Sequence, residues 1–181
     1  MRKYETVDKN SYLCKNEIKK QMKTKNITDK QEIENILRKC AYCTVGLVDE
    51  EGNPYTVPMN FAYHEGVIYL HSGYSGSKVE MARKHPQVCV SFCEGHELVY
   101  MHKQMACSYS MKSRSVICRG TVHFVEEMEE KRRLLDIFMR HYTDNECGYS
   151  EPAVRNVLIW AIKVEKMTCR SFGLRASEAN S

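Results

Sequence analysis

The sequence predicts a mainly β domain, with six antiparallel strands forming a small barrel and a few α-helices flanking it. Two observations carry this. Six segments rich in aromatic and β-branched residues are separated by turns built from Gly, Pro and Asn, whereas only three segments show a helical period. No internal repeat or second domain is evident, and 181 residues suit a single core.

Taken in order, Thr28-Asp-Lys-Gln31 reads as a capping box before Ile33, Ile36 and Leu37, which predicts a helix to about Lys39. Strands follow at 43–49, 55–63 and 67–72, separated by Glu51-Gly-Asn-Pro54 and by the tight connection His64-Glu-Gly66. A short helix over 77–84 stops before Pro86, and a strand over 87–93 follows. Residues 94–112, with three methionines and little periodicity, read as a long loop or irregular strand edge. A long strand over 113–125 comes next. Leu134, Leu135, Phe138 and Tyr142 then give residues 127–142 a helical period, and Val157–Glu165 supplies the closing strand.

The most informative stretch is 53–78, in which two adjoining strands empty into Gly73-Tyr-Ser-Gly-Ser-Lys78. Ser77 is placed as the N-cap of the following helix, whose first N–H groups then point back toward the loop. Hydroxyls from Ser72, Ser75 and Ser77, unencumbered backbone at Gly73 and Gly76, and the Lys78 ammonium together make a seat for a phosphate. Taken alone, a lysine opening a surface helix is ordinarily just solvated. The serine-glycine loop before it is what favours the binding reading.

Composition narrows the function classes. A hydrophobic fraction of 43% excludes general disorder, and no apolar run approaches the ~18–20 residues of a membrane span. The first residues carry no apolar signal core, so a cytoplasmic protein with no membrane partner is expected. The net charge of +4 gathers before residue 40; lysines at 15, 19, 20, 23 and 25 lack an interleaved aromatic platform, which reads as a solvated arm over 1–27 and not as a nucleic-acid surface. Nine cysteines, an odd number, read as reduced thiols packed as small hydrophobes. Cys40 and Cys43 make the one CxxC spacing, but no second pair completes a zinc set, so no metal site is assigned.

Pro54-Tyr55, Val57-Pro58, His71-Ser72 and Gly76 with Lys78, in that order and followed by Ser113-Arg-Ser-Val-Ile-Cys-Arg-Gly120, resemble the pyridoxamine 5'-phosphate oxidase-like family of FMN-binding split barrels. Within it the pattern is most similar to the nitroimidazole-resistance branch, and the resemblance covers roughly 28–173, leaving 174–181 as a tail. It implies a homodimer with flavin mononucleotide, FMN, at the subunit interface. Lys78, with Ser72, Gly76 and Ser77, would hold the phosphate; the backbone of Val57, Pro58, Met59 and Asn60 would run along the isoalloxazine ring; Ser113 and Ser115 would approach the phosphate or ribityl chain. Pro58 fits an edge or bulge, since it has no N–H to give a ladder. His71 matches a histidine beside the flavin, to be weighed as a catalytic proton donor or as a hydrogen-bonded residue that positions the ring.

The implied activity is an FMN-dependent oxidoreductase, with NAD(P)H or another reductant as donor and a small oxidised acceptor such as a nitroaromatic or quinone. Pyridoxamine phosphate oxidation itself is disfavoured, since only Arg170 and Arg175 lie in the C-terminal part. Two other classes stay open: a non-catalytic flavin-binding module, and a haem-binding split barrel with His96 and His102 as axial ligands.

Overall fold

The computed structural model describes residues 23–174. Most of the expected basic arm, Cys14, Arg175 and the C-terminal tail lie outside the described residues. The described chain divides into two compact units, one of Asn26–Gly95 with Arg114–Arg170 and the other including His96–Ser113.

Eight strands, not six, form one sheet with the order β3-β2-β6-β7-β8-β5-β4, and β1 pairs with β8 off that path. They are β1 (Lys23–Ile27), β2 (Cys43–Val48), β3 (Pro54–Met59), β4 (Phe61–His64), β5 (Val67–Ser72), β6 (Gln87–Tyr100), β7 (Tyr109–Val125) and β8 (Leu158–Leu174). Four α-helices accompany them: α1 (Lys30–Lys39), α2 (Ser77–Lys84), α3 (Met128–Arg140) and α4 (Glu151–Arg155). The class is therefore mainly β with flanking helices, as the sequence predicts, and the strand count is corrected.

Two differences produce the higher count. The end of the segment read as a solvated arm is β1, whose Ile27 is buried in the core. The strand read as continuous over 55–63 is two strands at opposite ends of the sheet order, because β3 pairs with β2 while β4 pairs with β5. The chain changes partner at Asn60. There the Phe61 N–H leaves the ladder and donates to the Tyr142 hydroxyl at 2.8 Å, which in turn donates to the Ala41 carbonyl at 3.0 Å. The covalent chain thus joins the two ends of the sheet, which closes it on itself.

Three further boundaries move. The segment 94–112 is not a long loop: β6 runs on to Tyr100 and β7 begins at Tyr109, with a short 3-10 turn at Ala106–Ser108 between them. The closing strand is likewise longer than expected. At α1 the cap is Asp29 instead of Thr28, its carboxylate accepting from the Glu32 N–H at 2.8 Å.

Alternation along the strands separates two clusters in the larger unit. Val45, Leu47, Phe61, Ile68, Leu70, Val90, Phe92, Val116, Leu158, Trp160 and Ile162 fill the main core, with Ile33, Ile36 and Leu37 of α1 added to it. On the opposite face of β4, β5 and β8, Ala62, Tyr69 and Ile159 meet Leu134 and Phe138 of α3. Gly120 of β7 lies so close to β8 that a Cβ there would strike the Lys163 carbonyl, so the crossing requires glycine.

Candidate phosphate-binding loop

The loop between β5 and α2 is set by the end of one strand and the start of one helix. Gly76, at φ 111° and ψ 158°, is the N-cap of α2 and offers no capping side chain; Ser77, expected at the cap, is the first helical residue. The Gly76 carbonyl accepts from the N–H groups of Val79 at 2.9 Å and Glu80 at 3.2 Å. Among the described residues the N–H groups of Ser77 and Lys78 have no acceptor and lie at the positive end of the helix. No atom lies within 4 Å of where a Cβ at Gly73 or Gly76 would stand, so the space over the loop is open. Free N–H groups, open space and the Lys78 side chain together suit a phosphomonoester.

His71 and Ser72 are neighbours in sequence but face opposite sides of β5. Ser72 points into the main core, where its hydroxyl accepts from the Trp160 indole N–H at 2.9 Å and donates to the Gly73 carbonyl at 2.7 Å. A hydroxyl has one hydrogen to donate, so in this arrangement Ser72 has none left for an anion. His71 points toward α3 and meets the Phe138 ring edge to face at 4.7 Å between centroids. Its Nδ1 is buried and without a hydrogen-bond partner among the described residues. Burial pushes its pKa below the ordinary histidine value, and the positive charge of Lys78 adds to that, which also places His71 within electrostatic reach of the loop.

The remaining candidates are spread over other elements. Val57, Pro58 and Met59 lie on β3, a strand at the end of the sheet order; Pro58 is exposed, Val57 half-buried and Met59 buried. Asn60 stands at the change of partner, its amide donating to the Ala41 carbonyl at 3.4 Å. Ser113 and Ser115 are half-buried on β7 and fall in different compact units. What the structure brings together is therefore His71, Lys78 and the loop between them. His96 and His102, the alternative haem ligands, are exposed.

Two residues have no role in the sequence reading: Tyr74, within the loop itself, and Lys131 of α3. Lys131 of α3 is 1% exposed, and its Nζ donates to the Tyr74 hydroxyl at 2.5 Å. The clue is that Lys131 stands three residues before Leu134 and seven before Phe138, on the face that turns inward. A depression of about 410 Å³ between α1, β4 and α3, lined by Arg38, Tyr63, Arg133 and Arg140 among others, contains none of the loop residues.

The cysteines follow the packing reading only in part. Cys40, Cys43, Cys118 and Cys169 are buried, but Cys93, Cys107 and Cys147 are exposed. Burial pushes the Cys40 thiol up to about 11 and Cys43 to about 12, which disfavours the thiolate that metal binding or exchange at this CxxC would need.

Comparison with known proteins agrees with this architecture. Residues 29–171 match the family model described as pyridoxamine 5'-phosphate oxidase. A solved structure from Bacteroides thetaiotaomicron, provisionally described as a 5-nitroimidazole antibiotic resistance protein, is 55% identical, covers 85% of this chain and 90% of its own, and superposes with a TM-score of 0.76. Two more distant structures, each 17% identical, share the fold: an FAD and haem binding protein from Mycobacterium smegmatis (TM-score 0.74, covering 83% of this chain and 75% of that one) and the flavocytochrome Anf3 from Azotobacter vinelandii (TM-score 0.70, 81% and 68%). A comparison with curated proteins gives no match. The chain belongs to the pyridoxamine 5'-phosphate oxidase-like family of split barrels, on the branch of the nitroimidazole-resistance proteins.

Proposed function

We propose that the protein binds FMN through its phosphate at the loop 73–78 and acts as an oxidoreductase on a small oxidised acceptor such as a nitroaromatic or quinone. The observation that carries this reading is the uncapped start of α2, where the N–H groups of Ser77 and Lys78 have no acceptor among the described residues, the space at Gly76 is open, and the Lys78 charge reaches His71. The orphaned Nδ1 of His71 next to it is a buried polar atom in want of a partner. The FAD and haem binding protein and the flavocytochrome that share this fold agree with a redox cofactor on it.

Bound FMN would supply hydride or electron transfer, charged by NAD(P)H or another reductant. The chain's own residues bind, orient and move protons. Lys78 and the two free N–H groups hold the phosphate. The backbone of Val57, Pro58, Met59 and Asn60 lies on a strand at the end of the sheet order, where polar groups not used in pairing can meet the ring. Ser115 completes the proposed contacts from β7. His71, held below its ordinary pKa, enters at neutral pH as an uncharged imidazole that can offer or take one proton at Nδ1.

A homodimer belongs to the same proposal, since a large flat ligand over an open loop needs a second surface. In the smaller unit, Leu98, Tyr100, Met101, Met105 and Met111 are exposed apolar side chains available for it. Cytoplasmic placement is proposed from the unpaired cysteines; no helix among the described residues is long and apolar enough to cross a membrane.

The test is an absorbance spectrum of the purified protein, identification of any released chromophore, and titration of the apoprotein with FMN. Oxidised-flavin bands are expected, with affinity falling about 10- to 100-fold in Lys78→Ala, the loss of one charge-assisted contact. Turnover with NAD(P)H and a nitroaromatic or quinone separates the enzyme from a storage module. A colourless protein that refuses FMN sinks the reading, and a Soret band selects haem instead.

A further inference from the structure

We propose that Tyr74 is a phosphate-contacting residue of the same loop and that Lys131 is a positioning residue acting through it, so that a buried cation backs a phenol donor for a phosphomonoester. The inference rests on the phosphate reading of the loop and adds to it one residue of the loop that had no assigned role, Tyr74, and one from outside the sequence motif, Lys131.

Lys131 is nearly inaccessible, yet no carboxylate pairs with it among the described residues. Its Nζ donates to the Tyr74 hydroxyl and, at 3.4 Å, toward the Val154 carbonyl, and it stands 5.0 Å from the centre of the Tyr74 ring. A buried cation without a carboxylate leaves a local positive field, which is costly unless an anion comes near. The nearest feature built to receive an anion is the loop itself, because Tyr74 lies between Gly73 and the uncapped residues Gly76 to Lys78.

The phenol is arranged to carry that field outward. Its oxygen accepts from Lys131, so its own hydrogen remains to be donated, and among the described residues no acceptor takes it. An ammonium donating to a phenol oxygen polarises the O–H and strengthens the bond it gives. Tyr74 is 42% exposed, whereas Lys131 is not, so the tyrosine is the one of the pair placed to meet a ligand. Lys131 also ties the loop to α3, fixing a residue that a glycine on one side and a serine-glycine pair on the other would otherwise leave free to rotate.

The experiment compares FMN with riboflavin, which lacks the phosphate, on the full chain and on Tyr74→Phe, Lys131→Met and the double variant. Each single variant is expected to weaken FMN on the order of tenfold while riboflavin affinity stays the same, and the double variant to lose no more than either single one. An unchanged FMN-to-riboflavin ratio, or equal loss for both flavins, overturns the proposal by making the pair merely structural. Should Lys131→Met fail to fold, Tyr74→Phe decides alone, since it keeps the ring. If the natural chain takes neither flavin, the FMN reading falls separately and inorganic phosphate becomes the probe. Thermal stabilisation by phosphate that Tyr74→Phe loses then upholds the phenol donor, and no stabilisation of the natural chain overturns it.

Discussion

The indole N–H of Trp160 donates to the hydroxyl of Ser72 at 2.9 Å, in the main core and across 88 residues of chain. The bond ties the last residue of β5 to the start of β8, where Leu70 pairs with Trp160 and Ser72 with Leu158. Because Ser72 also donates to the Gly73 carbonyl, the bond sets the direction in which the loop leaves the strand.

Ser72→Ala should therefore destabilise the protein by about 1–3 kcal/mol, the cost of a buried indole N–H left without an acceptor. Urea denaturation of the natural chain and the variant checks this. A midpoint that does not move would show that the indole finds another acceptor.

His71 makes stability depend on acid. Its folded pKa lies below the ordinary value of 6.5, so as pH falls through that value the unfolded chain takes up the proton first. Stability associated with the neutral ring is complete above about 6.5 and is lost as pH falls toward the folded pKa. His71→Phe should remove this part, so that melting temperature drops less between pH 7.5 and pH 5 than in the natural chain. Equal drops in both proteins would rule out a depressed folded pKa.

The cysteines should divide by rate toward a thiol reagent. Cys93, Cys107 and Cys147 are exposed and should label first in the native protein, whereas Cys40, Cys43 and Cys118, buried and with pKa pushed up to about 11 or 12, should label only as the chain unfolds. Mass spectrometry of labelled peptides over time reads the order. Early labelling of Cys43 would contradict its place in the core.

Much of the fold could be read locally. Ile33, Ile36 and Leu37 mark α1, Leu134 and Phe138 mark α3, and the run Gly73 to Lys78 marks a loop feeding a helix, because helical and strand periods are set by neighbours along the chain. Lys78 stood out through the serine-glycine loop before it, and His71 through the family resemblance. Residues 94–112 misled because methionines and glycine hide the alternation of a strand pair whose side chains are largely exposed.

The sequence by itself determined a mainly β chain, its three principal helices, the β4–β5 turn and a loop that runs into a helix at Lys78, all products of short-range periodicity and turn chemistry. Only the tertiary structure decided that the strand expected over 55–63 divides at Asn60, since that depends on Tyr142 reaching the Phe61 N–H from 81 residues away. It alone decided that Ser72 faces Trp160 while His71 faces Phe138, because alternation places neighbours on opposite faces without saying what covers each. It also brought Lys131 to Tyr74 across 57 residues, a meeting that follows from how α3 packs and from no local pattern.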